Sequence, residues 1–442
     1  MKIQELKRVI IAQKEEIEEK FEKTKIIERD VDADKLRKYL AAPNILAILG
    51  VRRCGKSILS WQILRGKIGH INFDDERLLN FDVMDFDKIL QAFYELYGDI
   101  EYIILDEPQN VRGWELFANR LRRTKKVIIT GSNSKLLSGE LATHLTGRHV
   151  DFILYPFSFR EFLIYNDFVF DRIDYHSTKK IGLVKRYLDE YMRIGGFPEV
   201  YLLGRDILTR IYSDIIEKDI LKRFKIKKKA TFKEFAKYLI SNHSSEFTMS
   251  KLSKIFNIKD IHTVRNWIDA MKDTYIIFTL ERFSFKLKEQ IIAPKKVYCV
   301  DHGLANSIGF RFSENLGRVM ENLVAIELKR RGKEIYYWKD YQQREVDFVV
   351  KEGLNVKELI QVCYDIEDVS TKNRELKALI KAGKELKCKN LKVITWDYEG
   401  REEFKNKRIE FIPLWRWLLR WNGTNNKYRS QREQYLNNIV LK

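Results

Sequence analysis

Short apolar runs alternate with polar or amphipathic segments in the first third of the chain. Four runs have the length of a strand and lie at 45–49, 100–107, 126–133 and 149–154, and helices are predicted at 58–64 and 134–145. Runs that are apolar almost throughout are typical of parallel strands covered on both faces. The pattern therefore predicts an α/β unit built on a parallel sheet.

The segment 156–225 has a helical pattern. Its predicted helices are 158–164, 181–192 and 207–224. A glycine pair and a proline within 195–198 interrupt the pattern and predict a turn.

Two more units follow. The first has the element order of a winged helix, with helices at 232–240, 248–256 and 261–271 and a strand at 275–285. The second combines a helix at 315–331 with strands at 336–338, 345–350 and 359–364. This second unit is predicted to be a mixed α/β domain.

Length and composition indicate several globular domains. The chain has 442 residues, 45% of them hydrophobic, which suggests two to four domains. No apolar run reaches transmembrane length and the start shows no signal peptide, so we expect a cytoplasmic protein without a membrane partner. Four scattered cysteines without metal-binding spacing fit a reducing compartment.

The chain is strongly basic. Its 82 lysines and arginines exceed its 63 acidic residues, for a net charge of +19. This charge favours a polyanionic partner such as nucleic acid. A lysine-rich, thermophilic proteome is the alternative explanation.

The residues after the first apolar run read Gly-Val-Arg-Arg-Cys-Gly-Lys-Ser and fit the phosphate-binding loop G-x-x-x-x-G-K-[ST]. In such a loop the glycines let backbone N–H groups face the phosphates of a nucleotide. Lys56 is predicted to reach the β- and γ-phosphates of ATP, and Ser57 to hold Mg²⁺. The predicted ATP-binding residues are Gly50, Val51, Arg52, Arg53, Cys54, Gly55, Lys56, Ser57 and Ile58. A lone glycine-rich turn is the alternative.

Polar residues end the next two runs. Asp106 is expected to bind Mg²⁺ directly or through water, and Glu107 to orient and deprotonate the attacking water. The third run ends in Ser132 and Asn133, either of which could hold that water near the γ-phosphate. An exposed acidic strand end and an ordinary helix cap are the alternatives.

Arg148 stands just before the fourth run, at the end of a predicted helix. This order of elements resembles that of the AAA+ ATPases. The resemblance implies that Arg148 is an arginine finger, which reaches the γ-phosphate held by a neighbouring subunit, with Arg122 and Arg123 as reserves. A helix-end arginine that binds carbonyl groups is the alternative.

Further motifs resemble one group of prokaryotic AAA+ ATPases, of archaeal type. They are the Gly-Val-Arg-Arg loop, the Leu-Asp-Glu strand end, Thr-Gly-Ser-Asn, Leu-Thr-Gly-Arg, Tyr-Pro-Phe-Ser-Phe-Arg-Glu-Phe, Gly-Gly-Phe-Pro-Glu, Asp-His-Gly-Leu and Glu-Val-Asp-Phe-Val. The resemblance covers most of the chain. It implies an AAA+ core, a helical lid over the nucleotide, a winged helix and a C-terminal domain of restriction-endonuclease-like fold.

Basic residues are the candidates for DNA contact. The densest basic run is 222–229, and the third helix of a winged helix is the element that enters a DNA groove. The candidates are Lys222, Arg223, Lys227, Lys228, Lys229, Thr263, Arg265, Lys286 and Lys288, the last two on a predicted wing. The alternatives are a solvated helix end and a winged helix that binds protein.

Endonucleases of the implied fold bind metal through an Asp and an (Asp/Glu)-x-Lys pair. Asp347 matches the first acid, Glu321 matches a helical acid, and Gln361 stands where the second acid is expected. Cys363 replaces the lysine of the pair. We predict a weak or inactive nuclease, unless a lysine such as Lys357 arrives from elsewhere, and a purely structural sheet is the alternative.

The predicted domains are an N-terminal amphipathic helix (1–30), an AAA+ core (31–155), a helical lid (156–229), a winged helix (230–310) and a degenerate endonuclease-like domain (311–442). The predicted function is a Mg²⁺-dependent ATPase that binds DNA and remodels or unwinds forked or branched DNA. We expect a homo-oligomer, with a hexamer among the candidate rings. A regulatory ATP switch that binds a protein and an ATP-regulated nuclease are the alternatives.

Overall fold

The computed structural model describes residues 1–41, 43–134, 147–309 and 316–419. The helix predicted at 134–145 and the first half of the Leu-Thr-Gly-Arg motif lie almost entirely outside these residues. Among the helices described, none is both long and apolar enough to cross a membrane.

A five-stranded sheet forms the centre of the N-terminal unit. Its strands are β1 (Ile45–Leu49), β2 (Ile68–Asn72), β3 (Tyr102–Asp106), β4 (Lys126–Gly131) and β5 (His149–Ile153), in the order β2-β3-β4-β1-β5. Every neighbouring pair is parallel, which confirms the predicted parallel sheet. The sequence pattern does not predict β2, because Gly69 and His70 interrupt its apolar run.

Helices cover both faces of this sheet. They are α1 (Ile3–Lys23), α2 (Ala33–Ala41), α3 (Lys56–Gln62), α4 (Phe86–Tyr97) and α5 (Trp114–Leu121). α1 buries Leu6, Val9 and Ile10 in the same apolar core as α4 and α5, and α2 and α3 contribute to a second core on the other face. The N-terminal helix is therefore packed into this unit.

A group of helices follows the sheet. They are α6 (Phe159–Tyr165), α7 (Thr178–Ile194), α8 (Val200–Leu203) and α9 (Ile207–Asp214). The turn predicted at 195–198 lies between α7 and α8. α9 continues directly into a π-helix, Ile215–Lys222. π-helical segments are rare in proteins, and those that occur are often found at functional sites.

The third unit combines five helices with a small sheet. Its elements are α10 (Lys229–Ser241), β6 (Ser245–Phe247), α11 (Met249–Ile255), α12 (Ile261–Asp273), β7 (Ile277–Leu280), α13 (Leu287–Ile292), β8 (Lys295–Cys299) and α14 (His302–Ile308). The strands are antiparallel in the order β6-β8-β7. Where an extended wing with Lys286 and Lys288 was predicted, the chain instead forms the short helix α13.

The last unit holds a six-stranded mixed sheet. Its elements are α15 (Leu316–Arg330), β9 (Glu334–Lys339), β10 (Glu345–Glu352), β11 (Asn355–Cys363), α16 (Val369–Glu385), β12 (Leu391–Thr395), β13 (Gly400–Phe404), β14 (Lys407–Pro413) and α17 (Leu414–Leu419). The strand order is β13-β14-β12-β11-β10-β9. α16 packs on one face, and α15, α17 and the helices α6 and α7 contribute to the core on the other.

Candidate nucleotide site

The phosphate-binding loop lies between β1 and α3, at the carboxyl end of the parallel sheet. Gly50 and Gly55 have φ angles of 150° and 99°, in a region of backbone conformation that residues other than glycine rarely adopt. A Cβ atom on Gly50 would lie 2.2 Å from the carbonyl oxygen of Leu154. The shape of the loop therefore depends on the two glycines that the motif requires.

Lys56 is buried at the base of this loop. Its Nζ donates to the carbonyl oxygen of Val51 at 3.1 Å and lies 3.9 Å from Glu107 Oε1. The ammonium group is thereby held between the loop and the carboxyl end of β3, where it can face a nucleotide phosphate.

Asp106 ends β3 and is buried, and it accepts a hydrogen bond from Thr130 of β4. Burial and then the Glu107 carboxylate raise the pKa of Asp106 to about 6, although Ser57 and Lys56 act to lower it. A nearby cation stabilises the charged form of a buried carboxylate whose pKa is raised. Ser57 and Asp106 are therefore the residues that fit Mg²⁺.

These two residues would be a partial ligand set. Within the part of the chain that the structure describes, no group of three or more His, Cys, Asp and Glu side chains could hold a metal ion. Mg²⁺ usually takes one or two protein ligands and completes its octahedron with phosphate and water. The donor set of this site fits that habit.

Glu107 has a left-handed backbone with a φ of 49°. Its Oε2 accepts hydrogen bonds from the N–H and the hydroxyl of Ser132, at 3.4 and 3.2 Å. Asn133 is buried next in the chain. The ends of β3 and β4 thus bring Glu107 and the two polar candidates of the third run to one place.

Three acids from the helical segment after β5 hold the two arginines of the loop. Arg52 contacts buried Asp219 at two points, through Nε at 2.8 Å and Nη2 at 3.1 Å. Arg53 contacts Glu199 at 2.5 Å and Asp214 at 2.8 Å. The sequence does not predict this network. Its one trace in the sequence is the pair of arginines at loop positions where the motif accepts any residue.

Arg223 lies in the nucleotide site, although the sequence placed it among the DNA contacts. Its Nη2 lies 3.7 Å from Glu107 Oε2 and 3.6 Å from Asp219 Oδ1, and its Nη1 lies 3.4 Å from Ser132 Oγ. The π-helix that ends at Lys222 positions it there. A second positive charge, besides Lys56, therefore faces Glu107.

A cavity of about 270 Å³ opens beside the loop. Apolar and aromatic residues from the segment after α1, and from positions in and just before α6 and α8, line part of it, namely Ile26, Ile27, Phe157, Tyr165, Pro198 and Leu202. An apolar wall beside a phosphate-binding loop fits the base of a nucleotide. Phe157 and Pro198 belong to the Tyr-Pro-Phe-Ser-Phe-Arg-Glu-Phe and Gly-Gly-Phe-Pro-Glu motifs, but the sequence pattern does not assign either motif to a nucleotide pocket.

Arg148 lies at the edge of the sheet formed by the amino ends of its strands, whereas the loop lies at their carboxyl ends. Its carbonyl accepts a hydrogen bond from Ile45 N–H, at the start of β1, whereas the loop begins where β1 ends. Four strand steps separate these points, which corresponds to about 13 Å. The side chain is exposed, with Nη1 3.4 Å from Asn119 Oδ1, so Arg148 does not face the loop of its own chain.

The other candidates for DNA contact lie at the surface of the third unit or on the segment that leads into it. Lys227, Lys228 and Thr263 line an open cleft of about 930 Å³, together with Lys225 and Asn266. Lys222, Lys229, Arg265, Lys286 and Lys288 are exposed but do not line this cleft. The cleft joins the basic run to the polar face of α12.

The endonuclease-like candidates meet in the last unit. Glu321 and Asp347 both contact Lys296, at 2.9 and 3.2 Å, and Asp347 N–H donates to Gln361 Oε1 at 3.3 Å. Lys357 is exposed and lies 3.4 Å from Glu352 instead. The lysine beside these acids is therefore Lys296 of β8 and not Lys357.

Known families match three consecutive parts of the chain. Residues 42–163 match the AAA domain, 185–315 match one domain of unknown function (DUF8612), and 316–417 match another (DUF4143). The AAA match contains the loop, both acids of β3 and the end of β4. The chain therefore carries a P-loop ATPase domain of AAA type.

Two uncharacterized proteins are similar to most of the chain. Uncharacterized protein MJ1544 of Methanocaldococcus jannaschii is 36% identical over 90% of this chain and 92% of its own length. An uncharacterized protein of Haemophilus influenzae is 29% identical over 89% of this chain and 99% of its own. Among solved structures, the Walker-type ATPase paby2304 of Pyrococcus abyssi covers 64% of this chain and 96% of its own, with 16% identity and a TM-score of 0.40.

Proposed function

The chain belongs to the family of the uncharacterized M. jannaschii protein MJ1544, and we propose that it hydrolyses Mg²⁺-bound ATP in order to remodel DNA. One observation carries the proposal: the segment that lines the basic cleft also reaches the candidate catalytic acid. Arg223 contacts Glu107, and Lys225, Lys227 and Lys228 line the cleft immediately after it.

The residues of the loop suggest how ATP is held and cleaved. Loop N–H groups and Lys56 bind the phosphates. Ser57 and Asp106 would hold Mg²⁺, which would neutralise phosphate charge. Glu107 accepts a proton from water as the water oxygen bonds to the γ-phosphorus. The bond from that phosphorus to the bridging oxygen breaks, and ADP leaves. Ser132 positions Glu107, and Arg223 stabilises the negative charge that develops.

The cleft is lined by lysines on one side and by α12 on the other. On α12 the lining residues are the polar Thr263 and Asn266 and two acids, Asp269, which pairs with Lys272, and Asp273, which accepts from Ser134. The lysines come from a run that has no acidic residue between 222 and 229, and they are the groups that can contact phosphates. Such contacts neutralise DNA phosphates without reading sequence. The helices and the three-stranded sheet of this unit support its winged-helix interpretation.

A direct contact links the cleft helix to the ATPase sheet. Ser134, which follows the polar end of β4, donates to Asp273 at the end of α12 over 2.7 Å. A change at Ser132 and Asn133 on ATP hydrolysis therefore has a short route to the cleft. We take this contact as the coupling element of the proposed motor.

A regulatory ATP switch is the second candidate. It is favoured by the ion pairs between Arg52 and Arg53 and the acids Glu199, Asp214 and Asp219, because phosphates would compete for the same arginines. In this alternative the helical segment moves on ATP binding and the third unit binds a protein. ATP turnover would then be slow and indifferent to DNA.

The test of DNA binding is fluorescence anisotropy with labelled forked DNA at about 50 and 200 mM salt. We expect affinity to fall steeply with salt, and the double variant Lys227→Ala/Lys228→Ala to reduce the slope of log K against log salt by about 2. The matched control is Lys384→Ala/Lys389→Ala, which removes two exposed lysines of the last unit. Equal slopes for both variants and the unmodified chain would contradict DNA binding in this cleft.

A further inference from the structure

A lysine from the third unit lies among three carboxylates of the last unit. Lys296 belongs to β8, and its Nζ lies 2.9 Å from Glu321 Oε1, 3.2 Å from Asp347 Oδ1 and in contact with Glu345. Its side chain is only 3% exposed. This places a buried ammonium group at the point on which the three acids converge.

The surrounding acids favour the charged form of Lys296. Burial lowers the pKa of Lys296, but Glu321, Tyr298, Asp347 and Glu345 outweigh that effect and hold it well above its usual value. A buried charge of this kind persists only when it is paired and hydrogen-bonded. The carboxylates provide both.

The carboxylate oxygens of Glu321 and Asp347 also accept hydrogen bonds from other groups of the protein. Glu321 Oε1 accepts from the Tyr298 hydroxyl at 2.7 Å as well as from Lys296. Asp347 Oδ2 accepts from Val362 N–H at 2.9 Å. Mg²⁺ needs oxygen atoms at about 2.0 to 2.1 Å in an octahedron, which is tighter than a shell built around an ammonium.

Gln361 is satisfied in the same way. Its Oε1 accepts from Asp347 N–H at 3.3 Å and its Nε2 donates to Glu375 at 2.7 Å. The amide therefore fixes the backbone of β10 and the side chain of Glu375. It is used as a structural group at the position where a metal-binding acid is expected.

We propose that Lys296 takes the place of a divalent cation among Glu321, Glu345 and Asp347, so that the last two units are joined by a built-in, metal-independent ion cluster. The neighbouring contacts fit this role. Asn322, beside Glu321 on α15, accepts from Cys299 N–H at 2.8 Å and donates to its carbonyl at 3.0 Å, which fixes β8 against α15.

The first test measures Mn²⁺ binding by electron paramagnetic resonance in the full chain without nucleotide. All proteins carry Asp106→Asn, which removes the acid expected to bind metal at the ATP site. We expect the further change Asp347→Asn to leave the amount of bound Mn²⁺ unchanged, because Lys296 already fills the cluster. Bound Mn²⁺ that is lost with Asp347→Asn would overturn the proposal.

The second test removes the lysine. Lys296→Met keeps the length of the side chain but leaves the acids uncompensated, so the variant should gain about one Mn²⁺ per chain and lose it again with Asp347→Asn. Lys339→Met is the control, because Lys339 contacts Glu345 at 3.4 Å but reaches neither Glu321 nor Asp347. A folded Lys296→Met variant that binds no Mn²⁺ would also overturn the proposal. The first test needs no change at Lys296 and stands if this variant does not fold.

Discussion

Two neighbouring residues at the end of the π-helix, Lys222 and Arg223, have different surroundings. Lys222 is exposed, whereas the Arg223 guanidinium lies within 3.7 Å of Glu107. The sequence assigns both to one basic run, because a run of charges does not say which side chain turns inward. That information depends on the helix geometry and on the buried partner Asp219.

Removing Arg223 should slow ATP hydrolysis. Arg223→Ala is expected to lower kcat by about 100-fold with a small change in KM, because the charge is near the reacting groups and not in the loop. Lys222→Ala is the matched control and should keep the kcat of the unmodified chain. Steady-state ATPase rates without DNA decide this, and equal kcat values for both variants would remove Arg223 from the site.

His70 predicts a pH dependence of stability. It is buried in β2, its ring meets Trp61 edge to face at 5.5 Å, and neither ring nitrogen has a hydrogen-bond partner among the described residues. Burial lowers the pKa of His70 to about 4. The unfolded chain therefore takes up a proton as pH falls below 6.5 while the folded chain does not, so stability is lost from pH 6.5 down towards 4.

At pH 5 this proton should cost about 2 kcal/mol of unfolding free energy relative to pH 7. His70→Phe keeps a ring against Trp61 but cannot titrate, so its loss between these pH values should be smaller by that amount. Urea unfolding at both pH values measures the difference. Comparison with the variant cancels other titrating groups such as Asp106, and identical losses would show that His70 is not buried in the neutral form.

At the scale of elements, two of the glycine motifs serve helix packing. A Cβ on Gly196 would lie 2.4 Å from the carbonyl oxygen of Phe157, and one on Gly303 would lie 2.2 Å from that of Ile194. Asp301 also accepts a hydrogen bond from Gly196 N–H at 2.6 Å. The Gly-Gly-Phe-Pro-Glu and Asp-His-Gly-Leu motifs thus meet where α14 crosses the end of α7.

Alanine substitutions at two glycines should have opposite effects. The added Cβ of Gly303→Ala clashes with backbone atoms at the end of α7 and pushes α14 away from them. The variant should lose about 1 to 3 kcal/mol or more of unfolding free energy. Gly182 lies within α7 with nothing within 4 Å of an added Cβ, so Gly182→Ala should stabilise by about 0.5 to 1 kcal/mol. Thermal unfolding of both variants measures the signs. Equal effects would contradict the close crossing of the helices.

The elements also show where sequence patterns suffice. The apolar runs of β1, β3, β4 and β5 predict the parallel sheet, because strands buried on both faces need apolar side chains throughout. β2 and the helix α13 do not follow from pattern, since a buried His70 and an exposed apolar helix break the rule that links polarity to exposure. The ligand set of Lys296 joins residues that are far apart in the chain, and no local pattern encodes such a contact.

At the level of the whole molecule, the arginine-finger hypothesis for Arg148 requires an assembly. Arg148 lies at the sheet edge formed by the amino ends of the strands, away from its own loop, so an Arg148 that acts on ATP must do so from a neighbouring subunit. Arg122 and Asn119 lie beside it, with Arg122 Nε 2.8 Å from Asn119 Oδ1. This edge is the expected subunit contact.

Mixing two inactive proteins tests this arrangement. Arg148→Ala and Lys56→Ala should each hydrolyse ATP at a small fraction of the normal rate. For Arg148→Ala we expect kcat to fall by about 1000-fold. In a mixture, Lys56→Ala subunits still supply Arg148 to the intact loops of Arg148→Ala subunits, so part of the activity should return. Full activity of Arg148→Ala alone would mean that Arg148 is not a finger.

We propose that ATP hydrolysis at the loop is coupled to DNA bound in the cleft that Lys227 and Lys228 line. The most direct measurement of this coupling is the ATPase rate with and without single-stranded, duplex and forked DNA, at about 50 and 200 mM salt. Glu107→Gln gives the background rate. We expect DNA to stimulate the rate several-fold at low salt, and the stimulation to weaken at high salt and in Lys227→Ala/Lys228→Ala. A rate that stays the same with every DNA at both salt concentrations would contradict the proposal.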